Sequence, residues 1–275
     1  MRKTYQQLQS AINMDTLVDG LRQALLELPD PRVRSVKYSF HDIVMCGYAI
    51  FHLKSPSLLQ FEERTVAEQH NLQELFQIEN LCQDSHLRNI LDQIDPKPLR
   101  GLYQNGIDLL RKIGVIKSYR LASGHLLCSI DGVNHYSSQN VKCECCCERH
   151  HKNGKITYSH SMLAAALIHP NEKEVFIMDT EPIVKQDGET KNDCELNANN
   201  RLFDQLEINY TKDKLLIVQD ALYAVSPQIR RILSNKWDFV VNVKPDRHKN
   251  LFKLFETRRQ YGAVKYHEKR DENGT

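Results

Sequence analysis

The sequence predicts an α/β protein in which an all-α region precedes a mixed β-sheet flanked by helices. Two observations carry this prediction. Apolar residues recur at helical spacing up to about residue 119, whereas nearly continuous apolar runs of strand length begin near residue 126. Farther along the chain the two patterns alternate, which is typical of strands that pair with non-local neighbours in one sheet.

The helical region opens with an amphipathic stripe over residues 17–25. The nearly all-apolar run over 40–53 predicts a buried helix. Ser55 and Pro56 predict the start of another helix, because serine caps a helix and proline fits its first turn.

The clearest amphipathic helix is predicted over residues 84–94, with Asp84 as its cap and one apolar face. The polar face is either solvated or placed in a DNA major groove, and the pattern leaves both interpretations open. A further helix is predicted to begin at Pro98 and to end at Gly114.

The remaining segments are predicted to form the strands of the sheet and the helices between them. In chain order they are strands over 126–130, 157–168 and 174–178, a helix over 186–206, a strand over 214–220, a helix over 225–233 and a strand over 237–243. Residues 261–269 are a further strand candidate, and Asn273-Gly274 is a dipeptide typical of hairpin turns. Since no return strand follows, we expect the chain to be a fragment or a truncated copy, and the alternative is a frayed polar tail.

Charge and hydropathy limit the classes of function that the chain could have. The formal net charge is only +2, but residues 230–270 hold 12 basic and 4 acidic side chains, which suits either a polyanion or a solvated basic face. The longest apolar run, residues 43–51, is about half of the ~20 residues that a transmembrane helix needs. The amino terminus lacks the apolar segment of a secretory signal, so we expect a cytosolic protein.

Four of the eight cysteines fall within five positions, and neighbouring disulfides there would be strained. Cys143 and Cys146 have the spacing of zinc ligands, and His150, His151 or His160 are candidates to complete a tetrahedral site. The alternative is a turn rich in reduced thiols. The sequence leaves both open, and for His160 the choice includes a hydrogen-bonded core histidine.

Two aspartates are predicted at the ends of buried strands. Asp131 follows the first apolar run and Asp220 follows the run over 214–219. Carboxylates at one sheet edge can hold divalent metal, since Mg²⁺ prefers one or two carboxylates plus water and phosphate oxygens. Two metals about 4 Å apart would support phosphodiester cleavage or strand transfer. The alternative is that each aspartate only forms a turn or caps a helix.

Eight short motifs occur in order along the second half of the chain. They are Ser129-Ile130-Asp131-Gly132, Cys143 to Cys147, Asn153-Gly154-Lys155, Tyr158-Ser159-His160, Glu181-Pro182-Ile183, Gln186-Asp187-Gly188, Lys191 to Glu195, and Gln219 to Tyr223. Together they resemble a bacterial insertion-sequence DDE transposase of the insertion-sequence-four type. The resemblance implies a ribonuclease-H-like catalytic core behind a helical DNA-binding region, and an acid triad that binds two Mg²⁺ ions. It makes Asp131 the first acid and Asp220 the second.

The resemblance also implies the domain organisation. Residues 1–119 would be the helical DNA-binding region, 120–260 an incomplete ribonuclease-H-like core, and 261–275 the start of a β-rich insertion that is cut short. The family's third acid lies on a helix after that insertion, in a tyrosine, arginine and glutamate pattern that neither Tyr261 nor Tyr266 begins. Glu195 is either an acid near the metals or a solvated or salt-bridged residue.

The function expected from the resemblance is metal-dependent strand cleavage and strand transfer at the ends of an insertion sequence, with Mg²⁺ or Mn²⁺ as cofactor and Zn²⁺ as an option at the cysteines. With two of three acids, we expect weak activity or none. The alternative is a catalytically dead, transposase-derived DNA-binding protein. A nuclease of the same fold acting on RNA or branched DNA is disfavoured, because no motif resembles those families.

The resemblance implies double-stranded DNA as partner, both transposon ends and target, with a homodimer on DNA as an option and no membrane contact. It places the protein in the bacterial cytoplasm at the nucleoid. Lys191, Tyr223 and Lys244 are candidates for phosphate contacts by their positions after predicted strands.

Overall fold

The computed structural model describes residues 6, 8, 12–26, 28–33, 37–82, 84–184 and 194–265. The chain divides into two compact units, one formed by residues 1–124 with 164–181, the other by 125–163 with 182–275. The predicted α/β class with a mixed sheet is confirmed, since the chain combines helices with a six-stranded sheet of parallel and antiparallel pairs.

The first unit is mainly helical. Its helices are α1 (Met14–Leu25), α2 (Phe40–His52), α3 (Leu58–Ala67), α4 (Gln69–Phe76), α5 (Asp84–Leu91) and α6 (Gly101–Lys112), with short 3₁₀ turns at Lys97–Arg100 and Val115–Lys117. The predicted helix start at Ser55-Pro56 is wrong by two residues. Ser57 caps α3, because its hydroxyl accepts the backbone N–H of Gln60 at 3.1 Å.

The core of the first unit lies around α2. The predicted buried helix is confirmed, with Ile43, Met45 and Ala49 fully buried. Asp42 is buried in the same helix, and its carboxylate accepts the backbone N–H groups of Glu79 and Asn80, each at 3.1 Å. These bonds satisfy a charge that would otherwise be costly to remove from water.

Six strands form the sheet: β1 (Leu126–Ser138), β2 (Cys147–His150), β3 (Ile156–Ile168), β4 (Phe176–Ile183), β5 (Leu215–Gln219) and β6 (Asp238–Val241). Their order is β2-β3-β1-β5-β6, and β4 also pairs with β3. The first predicted strand is wrong at its end, because β1 continues past Asp131 for seven more residues. Its buried positions are confined to the part before Asp131, so the remainder carries no apolar pattern.

An arginine fixes β4 within the first unit. Arg100 contacts Asp179 through two nitrogens at 2.9 and 3.0 Å, and contacts Glu181 at 2.6 Å. Both carboxylates are buried. The acid of the Glu181-Pro182-Ile183 motif is therefore held in an ion pair.

The second unit contains α7 (Glu195–Asn209), α8 (Ser226–Ser234) and α9 (Lys249–Gln260). The helix predicted over 186–206 begins at Glu195, and residues 185–193 lie outside the described part of the chain. The basic stretch contains α9, which the sequence patterns did not predict and which has no buried residue. Residues 261–265 form no strand, and the predicted hairpin turn lies outside the described residues.

Helix length and composition argue against a membrane span in the part of the chain that the structure describes. None of its helices combines the length and the apolar character that crossing a bilayer requires.

Candidate functional site

The two predicted metal-binding aspartates lie on neighbouring parallel strands. Residues 126–129 of β1 pair with residues 215–218 of β5, which ends at Gln219. Asp131 and Asp220 each lie two residues beyond the last of these pairs, Ser129 and Val218. Both are exposed. The structure therefore places them at equivalent positions of adjacent strands, where β5 ends and β1 continues.

Each aspartate also makes a short-range hydrogen bond. Oδ1 of Asp131 accepts the backbone N–H of Gly132 at 2.8 Å, and Oδ1 of Asp220 accepts the N–H of Leu222 at 2.8 Å. The second bond is the turn-forming role that the sequence left open as an alternative. These bonds orient the carboxylates and leave both side chains at the surface.

Glu195, the first residue of α7, joins this group. Its Oε2 accepts the hydroxyl proton of Tyr223 at 3.2 Å. A Cβ atom added at Gly132 would lie 3.1 Å from Oε1 of Glu195. The carboxylate thus packs against the backbone beside Asp131, so the solvated alternative for Glu195 does not describe it.

The three carboxylates act together on Tyr223, which is fully buried. The pKa of its hydroxyl is raised, first by burial, then by the carboxylate of Glu195, and to a smaller extent by Asp220 and Asp131. The oxygens of these three carboxylates do not all lie within 4.8 Å of one another, so they form no compact ligand cluster. Oxygen ligands of this kind suit a hard divalent cation such as Mg²⁺.

Buried amides support the site beneath Asp220. Gln219 donates through Nε2 to Oδ1 of Asn199 at 2.8 Å, and Gln228 donates to Oε1 of Gln219 at 3.3 Å. All three side chains are buried. Sequence reasoning did not select them, although a glutamine in an apolar strand and an asparagine four residues after Glu195 are the signals that could have found them.

A second group of potential ligands is formed by Cys143, Cys146 and His160. The two Sγ atoms are 3.6 Å apart, and Nε2 of His160 lies 3.2 Å from Cys143 Sγ and 3.3 Å from Cys146 Sγ. The group could hold a metal ion, as the cysteine spacing predicts. The core-histidine alternative does not apply to His160, because its ring faces both thiols.

The other two histidine candidates are not part of this group. His150 lies 3.4 Å from a carboxylate oxygen of Glu148, and Nε2 of His151 lies 2.8 Å from the hydroxyl of Thr157. Burial raises the pKa of the Cys146 thiol, while a hydrogen bond from the backbone N–H of Cys143 opposes that shift.

The three residues predicted to contact phosphate differ in where the structure places them. The Tyr223 hydroxyl is buried and directed at Glu195, so it does not face solvent. Lys244 is exposed, and its backbone N–H donates to Nδ1 of His248 at 3.0 Å. Lys191 lies outside the described residues.

Comparisons of the chain with protein-family models, with curated proteins and with solved structures find no match.

Proposed function

We propose that this chain is a DNA transposase of the DDE type, which cleaves strands at the ends of an insertion sequence and transfers them to target DNA. The observation that carries the proposal is the placement of Asp131 and Asp220 at equivalent positions of adjacent parallel strands, with the carboxylate of Glu195 beside Gly132. Two of these acids follow from the motif resemblance, and their position on adjacent parallel strands supports a ribonuclease-H-like core.

The donor set fits Mg²⁺ or Mn²⁺, because it consists of carboxylate oxygens at an exposed strand edge. A divalent metal bound there would activate a water or a 3′ hydroxyl and stabilise the leaving oxygen. Asp131 and Asp220 would hold the ion in carboxylate orientations that the local N–H bonds fix. Tyr223 stays protonated and holds one oxygen of Glu195, which leaves the other oxygen available as a ligand.

Glu195 supplies a third carboxylate in this proposal. The family's tyrosine, arginine and glutamate pattern does not occur at Tyr261 or Tyr266. Glu195 instead approaches from α7, with its Oε1 beside Gly132. Its role is therefore that of a metal ligand or of a group that positions one.

Contacts to DNA are proposed for the basic helix α9. Lys249, Lys253, Arg258 and Arg259 are all exposed on it. Basic side chains on an exposed helix neutralise phosphates and release counterions, which gives affinity without sequence preference. The proposed partners are transposon ends and target DNA, with the protein acting at the nucleoid in the bacterial cytoplasm.

The alternative function is DNA binding without catalysis, in which the carboxylate group holds no metal. The same basic helix serves either function. The two differ only in whether the carboxylate group cleaves DNA when Mg²⁺ or Mn²⁺ is present.

The test is cleavage of a fluorescent duplex that carries the element's own ends, with Mg²⁺ or Mn²⁺. We expect Asp131→Asn and Asp220→Asn each to lower the cleavage rate by about 100-fold or more, since each removes a proposed metal ligand. Glu195→Gln is expected to lower it by about 10-fold to 100-fold. Binding of the same duplex should change little.

The matched control is Asp92→Asn, which removes one exposed negative charge from the first unit and should leave cleavage unchanged. Duplex binding without cleavage by the unmodified protein would support the alternative. Cleavage that survives both aspartate substitutions would overturn the proposed site.

A further inference from the structure

We infer that Cys143, Cys146 and His160 bind one zinc ion, at a site separate from the carboxylate group. The three ligand atoms already lie within 4.8 Å of one another. The inference does not depend on the proposed transposase activity, because no residue of the site belongs to the carboxylate group.

The distances match those of a tetrahedral zinc site. Bonds of about 2.3 Å to sulfur and about 2.05 Å to nitrogen imply S···S and S···N separations near 3.8 and 3.5 Å. The structure has 3.6 Å between the sulfurs, and 3.2 and 3.3 Å from the sulfurs to Nε2. A shift of a few tenths of an ångström would therefore admit the ion.

The backbone brings these ligands together independently of any metal. The N–H of Cys146 donates to the carbonyl of Cys143 at 3.3 Å, so the two cysteines occupy the ends of a tight turn. In the antiparallel pair of β2 and β3, Cys147 lies opposite Ser159. The preceding residue, Cys146, is therefore directed to the position after Ser159, which is His160.

Neighbouring rings and a backbone amide hold the ligands in place. The ring of His135 stacks on His160 at 6.0 Å between centroids, and Tyr136 lies 5.7 Å from the same ring. The N–H of Cys143 donates to Sγ of Cys146 at 3.3 Å. Outer contacts of this kind orient ligands and favour the thiolate form.

The ligand types select the ion. Two thiols and an imidazole favour zinc over Mg²⁺ or Ca²⁺, which require oxygen ligands. On binding, the thiols of Cys143 and Cys146 release their protons to solvent, and the neutral imidazole donates through Nε2. Cys143 is exposed, which gives the ion a route in, and solvent takes the fourth position.

The position of the site indicates its role. An ion there would fasten the turn before β2 to β3, at an edge of the sheet where few apolar residues are available. The ion would thereby stabilise the antiparallel pair of β2 and β3.

The experiment is metal analysis of the full chain, purified under reducing conditions without chelator. We expect about one zinc per chain, and a zinc affinity lowered by about 100-fold or more in Cys143→Ser and in His160→Gln. Cys145→Ser is the matched control. It lies in the same turn and is exposed, but it is not part of the group, so the variant should keep its zinc.

If a variant fails to fold, cobalt binding by the unmodified chain still tests the inference. The unmodified chain should show the visible bands of tetrahedral Co²⁺ with sulfur ligands, and zinc should displace them. A zinc content near zero with no cobalt bands would overturn the inference. So would equal zinc content in all three variants, or mass spectra that show a Cys143–Cys146 disulfide under reducing conditions.

Discussion

The carboxylate group and the cysteine and histidine group both belong to the second unit, but they are built in opposite ways. Asp131 and Asp220 lie at the surface, and each accepts a hydrogen bond from its own neighbouring backbone. Cys143, Cys146 and His160 contact one another across a turn and a strand. The first group consists of negatively charged carboxylates, whereas the second consists of two thiols and an imidazole at contact distance.

This difference teaches what each group needs in order to be stable. Asp131 and Asp220 are exposed, so a cation would be needed to join these carboxylates in one coordination sphere. The cysteine and histidine group is already assembled and gains from an ion without rearrangement. We therefore expect zinc to act mainly on stability, and Mg²⁺ mainly on activity.

The largest expected effect is zinc-dependent stabilisation. At a zinc concentration about 1,000 times its Kd, the free energy of unfolding should rise by about 4 kcal/mol. Denaturant unfolding with and without zinc measures this rise. Asp131→Asn should keep the full gain and His160→Gln should lose it. An equal gain in both variants would contradict the comparison.

The next effect concerns Tyr223 and its hydrogen bond to Glu195. Tyr223→Phe should lower the free energy of unfolding by about 1 kcal/mol at pH 8, because it removes that bond. The pKa of this hydroxyl is raised in the folded chain, so its stabilisation is complete below about pH 10 and is lost as pH rises further.

The measurement is unfolding of both proteins between pH 8 and pH 11. The difference between them should narrow toward pH 11, since only the unmodified chain loses the contribution of Tyr223. A constant difference across this range would show that the pKa of the Tyr223 hydroxyl is not raised in the folded chain.

The smallest effect is expected for Gly132→Ala. The added methyl group would lie 3.1 Å from Oε1 of Glu195, so that carboxylate must move by a few tenths of an ångström. We expect a cleavage rate lowered by about 3-fold to 10-fold, with the free energy of unfolding changed by less than about 0.5 kcal/mol.

Gly106→Ala provides the control for this substitution. It adds a methyl group in open space within α6, so it should raise stability by about 0.5 to 1 kcal/mol and leave cleavage unchanged. Equal cleavage by both variants would show that the position of Glu195 is unimportant.

Much of the fold could be predicted because buried helices and strands repeat apolar residues at a characteristic spacing. The helix α2 and the strand β5 are examples, since buried residues recur from one end of each element to the other. The second half of β1, the strand β2 and the helix α9 could not be predicted in this way. Their side chains are mostly exposed, so no apolar repeat marks them.

The same distinction between local sequence signals and long-range packing applies to the two candidate metal sites. Asp131 and Asp220 could be predicted because each follows a buried run, and Cys143 and Cys146 because their spacing is a local signal. Choosing His160 over His150 and His151 required the register of β2 with β3. The approach of Glu195 to Gly132 required the packing of α7 against the sheet, which no local pattern reports.

The length of β1 links the two groups through strand register. Side chains alternate along a strand, so Asp131 and His135 point to the same side of β1, four residues apart. A slip of one residue against β5 would turn both side chains to the opposite face. The acidic edge and the stacking partner of His160 therefore depend on a single alignment, and a sequence change that shifts β1 would disable both at once.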